Sequence, residues 1–104
     1  MAVFVIKINN LNMNKLQQLQ LMDKILRELQ DLENSQTSVL KKVAQIETHN
    51  ITLDDALLND KLSDLHEEVS SSVVIVTELL EAFTARRKKF FSENEKALQV
   101  DPTA

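Results

Sequence analysis

Glycine is absent from this chain of 104 residues, and so are cysteine, tryptophan and tyrosine. Average usage of about 7% would put roughly seven glycines in a chain this long. Turns with positive φ draw on glycine or asparagine, so a glycine-free chain makes few tight turns, and long helices are the economical reading. The single proline, Pro102, falls within the last three residues. Without cysteine there are no disulfides, zinc–thiolate sites or thiol nucleophiles. No stretch approaches the roughly 18–20 apolar residues needed to span a bilayer. The N-terminus has neither the basic start nor the small-residue cleavage site of a signal peptide. The expectation is a soluble protein, cytoplasmic or virion-associated.

The net charge of −4 is unevenly spread. Residues 1–50 hold six basic and five acidic side chains, and residues 51–104 hold six and eleven. Between Asp54 and Glu81 eight acids face Lys61 alone, and Arg86-Arg87-Lys88-Lys89 then reverses the sign. A chain that binds nucleic acid with its whole surface carries a basic surplus, which this one lacks.

What is present is helical periodicity. Residues 2–8, apolar and β-branched, read as a short strand or arm spanning 1–10 and closed by Asn9-Asn10. From Leu11 the pattern changes. One heptad position takes Met22, Leu29, Gln36, Val43, Asn50 and Leu57; the position three further on takes Ile25, Leu32, Val39, Ile46 and Leu53. Nine of these eleven sites are apolar, over about five heptads, which is a strong coiled-coil signal. Leu19, Leu26 and Leu40 widen the stripe beyond what a two-stranded zipper needs. The register then fails, since its continuation would bury Asp60 and Asp64. The apolar set restarts at Leu58, Leu62, Leu65, Val69, Val73, Val76, Leu79, Leu80 and Phe83.

The break coincides with local signals for a turn at 49–52. His49 suits a helix C-terminus and Asn50 a left-handed residue after it. Thr52 suits an N-cap, with Asp54 and Asp55 in the first turn of the next helix. The fold expected is therefore all-α: an antiparallel hairpin of helices over about 11–49 and 53–97, with a frayed tail at 98–104. It is expected to oligomerise into a bundle, because two long helices bury only one stripe each and no disulfide staples them. A parallel, trimeric rod with Asn50 inside the seam is the alternative. A second weak spot lies at 33–38, where Ser35 or Thr37 could cap a new helix.

Other features carry less. His66-Glu67-Glu68 opens like a zinc-protease helix, but the second histidine that motif needs would stand at 70, which is Ser70. His49 and His66 read as solvent-exposed, and no metal, cofactor, small-molecule substrate or catalytic group is expected. The acids from Asp54 to Glu68 read as a solvated face, with docking of a basic protein as the functional alternative. Gln36 is a candidate buried pin for helix register. Asn50-Ile51-Thr52 also fits the glycosylation sequon, without a secretion signal to support it. Val73-Val74-Ile75-Val76 follows three serines and is locally strand-like; the flanking period predicts a helix apolar all round and deeply packed, and a strand paired with Val3–Ile8 is the alternative. Phe83, Arg86, Arg87, Lys88, Lys89, Phe90 and Phe91 join cations to rings, a combination that can engage anionic lipid or nucleic acid.

The chain thus reads as a non-enzymatic structural or protein-interaction protein acting through coiled-coil self-association. Its seam is Met22, Ile25, Leu29, Leu32, Gln36, Val39, Val43, Ile46, Leu53, Leu57, Leu62, Leu65, Val69, Val76 and Phe83. A small, glycine-free heptad protein with short non-helical ends resembles the coiled-coil structural proteins of viruses and phages, and equally small scaffold or assembly adaptors. A homo-oligomer is the partner expected, with the arm 1–8 or the acidic face 54–68 available to another protein. Alternatives are a membrane- or nucleic-acid-binding module built on 83–91, and a small helical chaperone.

Overall fold

A computed structural model describes residues 14–100 of the chain. The described residues are helical almost throughout and contain no strand. Helix α1 runs Lys15–Leu53, α2 Ala56–Glu93 and α3 Glu95–Val100. The expected arm at 1–10, with Val3–Ile8, lies outside the described residues.

Helix α1 starts with a reciprocal cap. The Gln17 N–H donates to Asn14 Oδ1 at 2.8 Å, and the Asn14 N–H donates to Gln17 Oε1 at 3.1 Å. Two donors that a helix start leaves without partners are satisfied this way. The start is thereby fixed at Lys15 rather than near residue 11. No second helix begins at 33–38. Thr37 turns its hydroxyl back onto the Glu33 carbonyl at 2.9 Å, as Thr48 does onto Ala44 at 3.0 Å, so neither side chain is used as a cap and the helix runs through both.

The reversal falls at Asp54-Asp55, later than the expected 49–52. Asp54 takes the left-handed conformation, with φ of 53°, which aspartate tolerates better than most residues with a Cβ. Asp55 caps α2, its Oδ1 accepting the Leu58 N–H at 3.1 Å. Asn50 is therefore not the left-handed residue and Thr52 is not the cap. Asn50 is buried inside α1, at 6% exposure, and its amide organises the turn. Its Oδ1 accepts the Asp55 N–H at 3.0 Å, and its Nδ2 donates to Asn59 Oδ1 at 2.7 Å. Asn59 Nδ2 in turn donates to Asp54 Oδ1 at 2.8 Å. These bonds require one more turn of helix beyond Asn50, which displaces the reversal.

Helix α2 carries Val73–Val76 in helical form, so the strand alternative fails there. Deep packing of that segment fails too. Val69 and Val76 are buried, but Val74 and Ile75 are 54% and 64% exposed. At Asn94 the helix breaks for one residue. The Asn94 N–H is shared between the carbonyls of Phe90 and Phe91, at 3.1 and 3.2 Å, and its Nδ2 donates to the Phe90 carbonyl. Helix α3 then continues to Val100, with Leu98 buried where a frayed tail was expected.

The chain divides into two compact units. One is Arg27–Ala82; the other combines Met1–Leu26 with Phe83–Ala104, of which 14–26 and 83–100 are described. In the Arg27–Ala82 unit the arms of α1 and α2 pair antiparallel. Contacts Asn50–Asn59, Glu47–His66 and Glu33–Thr77 follow one another with numbers running in opposite directions. The other unit is antiparallel as well, through Asp23–Arg87 and Lys15–Phe90. The hairpin is thus established and the parallel rod is excluded. Cores are thin: the buried apolar side chains are Leu19, Val43, Leu62, Val69, Val76 and Leu98, and no described side chain is completely enclosed.

Candidate functional site

In the Arg27–Ala82 unit the two sides of the helix pair differ in chemistry. At 3.6 residues per turn, side chains seven apart form a row along a helix, and neighbouring rows lie about 50° apart. Three rows of α1 matter: Glu33, Leu40 and Glu47; Leu29, Gln36, Val43 and Asn50; Leu32, Val39, Ile46 and Leu53. The middle row faces α2 and is half-buried to buried. On α2 the facing row is Leu62, Val69 and Val76, all buried, flanked on one side by His66 and Val73 and on the other by Leu58, Leu65, Ser72 and Leu79.

One side of the pair is latched by polar contacts. The Thr77 hydroxyl donates to Glu33 Oε2 at 2.8 Å, and His66 Nδ1 lies 2.7 Å from Glu47 Oε1. His66 is therefore half-buried and engaged, where a solvent-exposed histidine was expected; His49 is exposed. These contacts fix which rows meet across the pair. The Glu33/Glu47 side of α1 lies with the His66/Thr77 side of α2, so Leu32, Val39 and Ile46 share the opposite side with Leu65 and Leu79. That opposite side is apolar and open. Leu32, Val39, Ile46, Leu65 and Leu79 are between 39% and 49% exposed, and Ile75 adjoins Leu79 four residues away on the same helix.

The predicted seam is thus divided by the structure. Leu29, Gln36, Val43, Leu62, Val69 and Val76 line the contact between the helices of the Arg27–Ala82 unit. Leu32, Val39, Ile46, Leu53, Leu57 and Leu65 are exposed. Gln36 is half-buried in the facing row. In the other unit Met22 and Phe83 are half-buried, and Ile25 is exposed. The latch residues Glu33, Glu47, Asn59 and Thr77 were not singled out in the sequence. Their signal is a polar residue at a core-facing position: the row of Leu19, Leu26 and Leu40 is interrupted by Glu33 and Glu47.

The basic-aromatic cluster is partly consumed within its own unit. Arg87 donates to Asp23 through Nε at 2.8 Å and Nη2 at 3.4 Å, and its guanidinium lies 5.5 Å from the Phe91 ring centre. Lys15 Nζ is 5.6 Å from the centre of Phe90. Arg86, Lys88 and Lys89 remain exposed. Of the acidic segment, Asp54 and Asp55 build the turn, while Asp60, Asp64, Glu67 and Glu68 are exposed. An open groove at the turn is lined by Glu47, Asn50, Ile51, Asp54, Leu58 and Asn59, among others. Among the described residues no group of three or more His, Cys, Asp or Glu side chains is placed to hold a metal ion. No described helix is long and apolar enough to cross a membrane.

No protein-family model, curated protein or solved structure matches the chain.

Proposed function

We propose that this chain is a non-enzymatic interaction protein that works by helix-to-helix self-association, supplying a bundle to a larger assembly. The observation that carries the reading is the open apolar side of the Arg27–Ala82 hairpin. Leu32, Val39 and Ile46 recur every seven residues along α1, and none is buried in the hairpin. Scattered apolar side chains on a surface are ordinary, but a contiguous row at the spacing of a helix-packing seam is the signature of a contact surface. The thinness of the core points the same way. Hydrophobic burial stabilises by about 25 cal/mol per Å², and a two-helix unit with few buried side chains gains from covering its remaining stripe.

Sedimentation equilibrium of the full chain tests the proposal. Self-association predicts a mass that rises above 11.9 kDa with concentration, and a Tm that rises with it, because association stabilises the folded state by mass action. A monomer of unchanged mass up to millimolar concentration, with a concentration-independent Tm, would overturn it.

A further inference from the structure

The open side of the Arg27–Ala82 hairpin shows a pattern that selects its occupant. Its rim and floor alternate along both helices. On α1, Ser35 and Lys42 lie beside the row Leu32, Val39, Ile46; on α2, Glu68 and Ile75 lie beside Leu65, Ser72 and Leu79. The Glu33–Thr77 contact sets the level of one helix against the other. It puts Leu32 level with Leu79, Val39 with Ser72 and Ile46 with Leu65. On the neighbouring row it puts Ser35 level with Ile75 and Lys42 with Glu68.

A second copy laid on this side, related by a two-fold axis parallel to the helices, brings each of these level pairs into contact across the interface. In a two-fold interface a contact from residue i to residue j is repeated from j to i. Helix α1 then rests antiparallel on α2 of the partner copy. Leucine meets leucine at 32/79, and isoleucine meets leucine at 46/65. The large residues Val39 and Ile75 each oppose a serine, so bulk fits into gap rather than against bulk. The exposure of Ile75 and the smallness of Ser35, unexplained within one chain, become one fit. Lys42 comes opposite Glu68, and neither takes part in an ion pair among the described residues. The same face laid on itself with the axis across the helices at Val39 would pair Leu32 with Ile46 and Leu65 with Leu79. It would also set Val39 on Val39 and Ser72 on Ser72, bulk on bulk and gap on gap, and would leave Lys42 level with Gln36 and Glu68 with Val76.

We infer that the chain forms a two-fold homodimer through the side bearing Leu32, Val39, Ile46, Leu65, Ile75 and Leu79, with α1 of each copy packed antiparallel on α2 of the other. The inference rests on the self-association reading and adds to it a face, a stoichiometry and a register.

Cysteine cross-linking tests the register cleanly, because the described residues contain no cysteine and the sequence has none. Leu32→Cys and Leu79→Cys are made as separate full-length variants, so that no bond can form within one chain. Both sites are exposed in the single chain, and circular dichroism checks that each variant keeps its helicity. Mixed, allowed to exchange and oxidised, the two variants are expected to form a covalent dimer at least about tenfold faster than either alone, as an antiparallel α1–α2 contact demands. Charge reversal gives a second readout. Lys42→Glu and Glu68→Lys should each weaken the dimer about two- to tenfold, and the two changes in one chain should restore it. Cross-linking of Leu32→Cys with Ile46→Cys in place of Leu79→Cys would overturn the register, as would a dimer in sedimentation that shows no 32–79 bond. These outcomes leave self-association standing; a chain that sediments as a monomer removes both.

Discussion

The two sides of the Arg27–Ala82 hairpin are made from the same two helices, yet one carries hydrogen bonds and the other bare hydrocarbon. On the first, Glu33 and Glu47 reach across to Thr77 and His66. On the second, at the same levels, Leu32 and Ile46 share a side with Leu79 and Leu65, and all four are exposed. The difference teaches a division of labour. Polar contacts add modestly to stability, because each replaces a bond to water, but they fix which rows of the two helices meet. Having fixed that, they leave the greasy rows together on the other side.

Three substitutions would break or sharpen this contrast. The largest effect is expected in the facing row between the two sides. Leu62→Ala removes a buried side chain that is 8% exposed and should cost about 2–5 kcal/mol in urea unfolding; a cost no greater than that of a surface leucine would show that the facing row is not the core. Next comes Asn50→Ala, which strips the Asp55 N–H and the Asn59 amide of their partner near the turn. Both partners belong to exposed residues and can turn to water, so losing the two bonds, at about 0.5–1.5 kcal/mol each, should cost about 1–3 kcal/mol, seen as a lower urea midpoint. The smallest is on the latched side. Thr77→Val, which deletes one hydroxyl and its bond to Glu33, should cost about 0.5–1.5 kcal/mol in the same experiment. If that change proved as costly as Leu62→Ala, the latch would be a main source of stability rather than a guide to register.

Helix content and the hairpin itself were legible from spacing alone. The restart of the apolar period after Leu57 announces a reversal, and the chain reverses there. Two things were not legible. Periodicity reveals a broad stripe containing Leu26, Leu29 and Leu32, but not which of its rows meets the neighbouring helix. That choice is made by Glu33, Glu47, His66 and Thr77, whose partners lie 19 and 44 residues away in sequence. Local cap rules likewise pointed to Thr52 as the helix start, with Asp54 and Asp55 in the first turn after it. The choice of Asp55 depends on Asn50 bonding to Asn59, a contact that exists only once α2 has folded back. Of the candidate site, the leucines and isoleucines were named from the sequence; the side on which they gather was not.

The reversal at Asp54 has a further consequence, in the freedom of the unfolded chain. A glycine there would relieve a left-handed strain of about 1–2 kcal/mol, but would also give the denatured state more conformations to lose, at about 0.5–1 kcal/mol. Glycine would further forfeit the bond from Asn59 to the Asp54 carboxylate. Against glycine the entropy offsets about half of the strain, and the side-chain bond works against the remainder. A turn built on glycine would bend whether or not the helices had met. This one is held in part by the bond from Asn50 to Asn59, which joins the two helices and forms only when they have met, so the bend and the pairing are coupled.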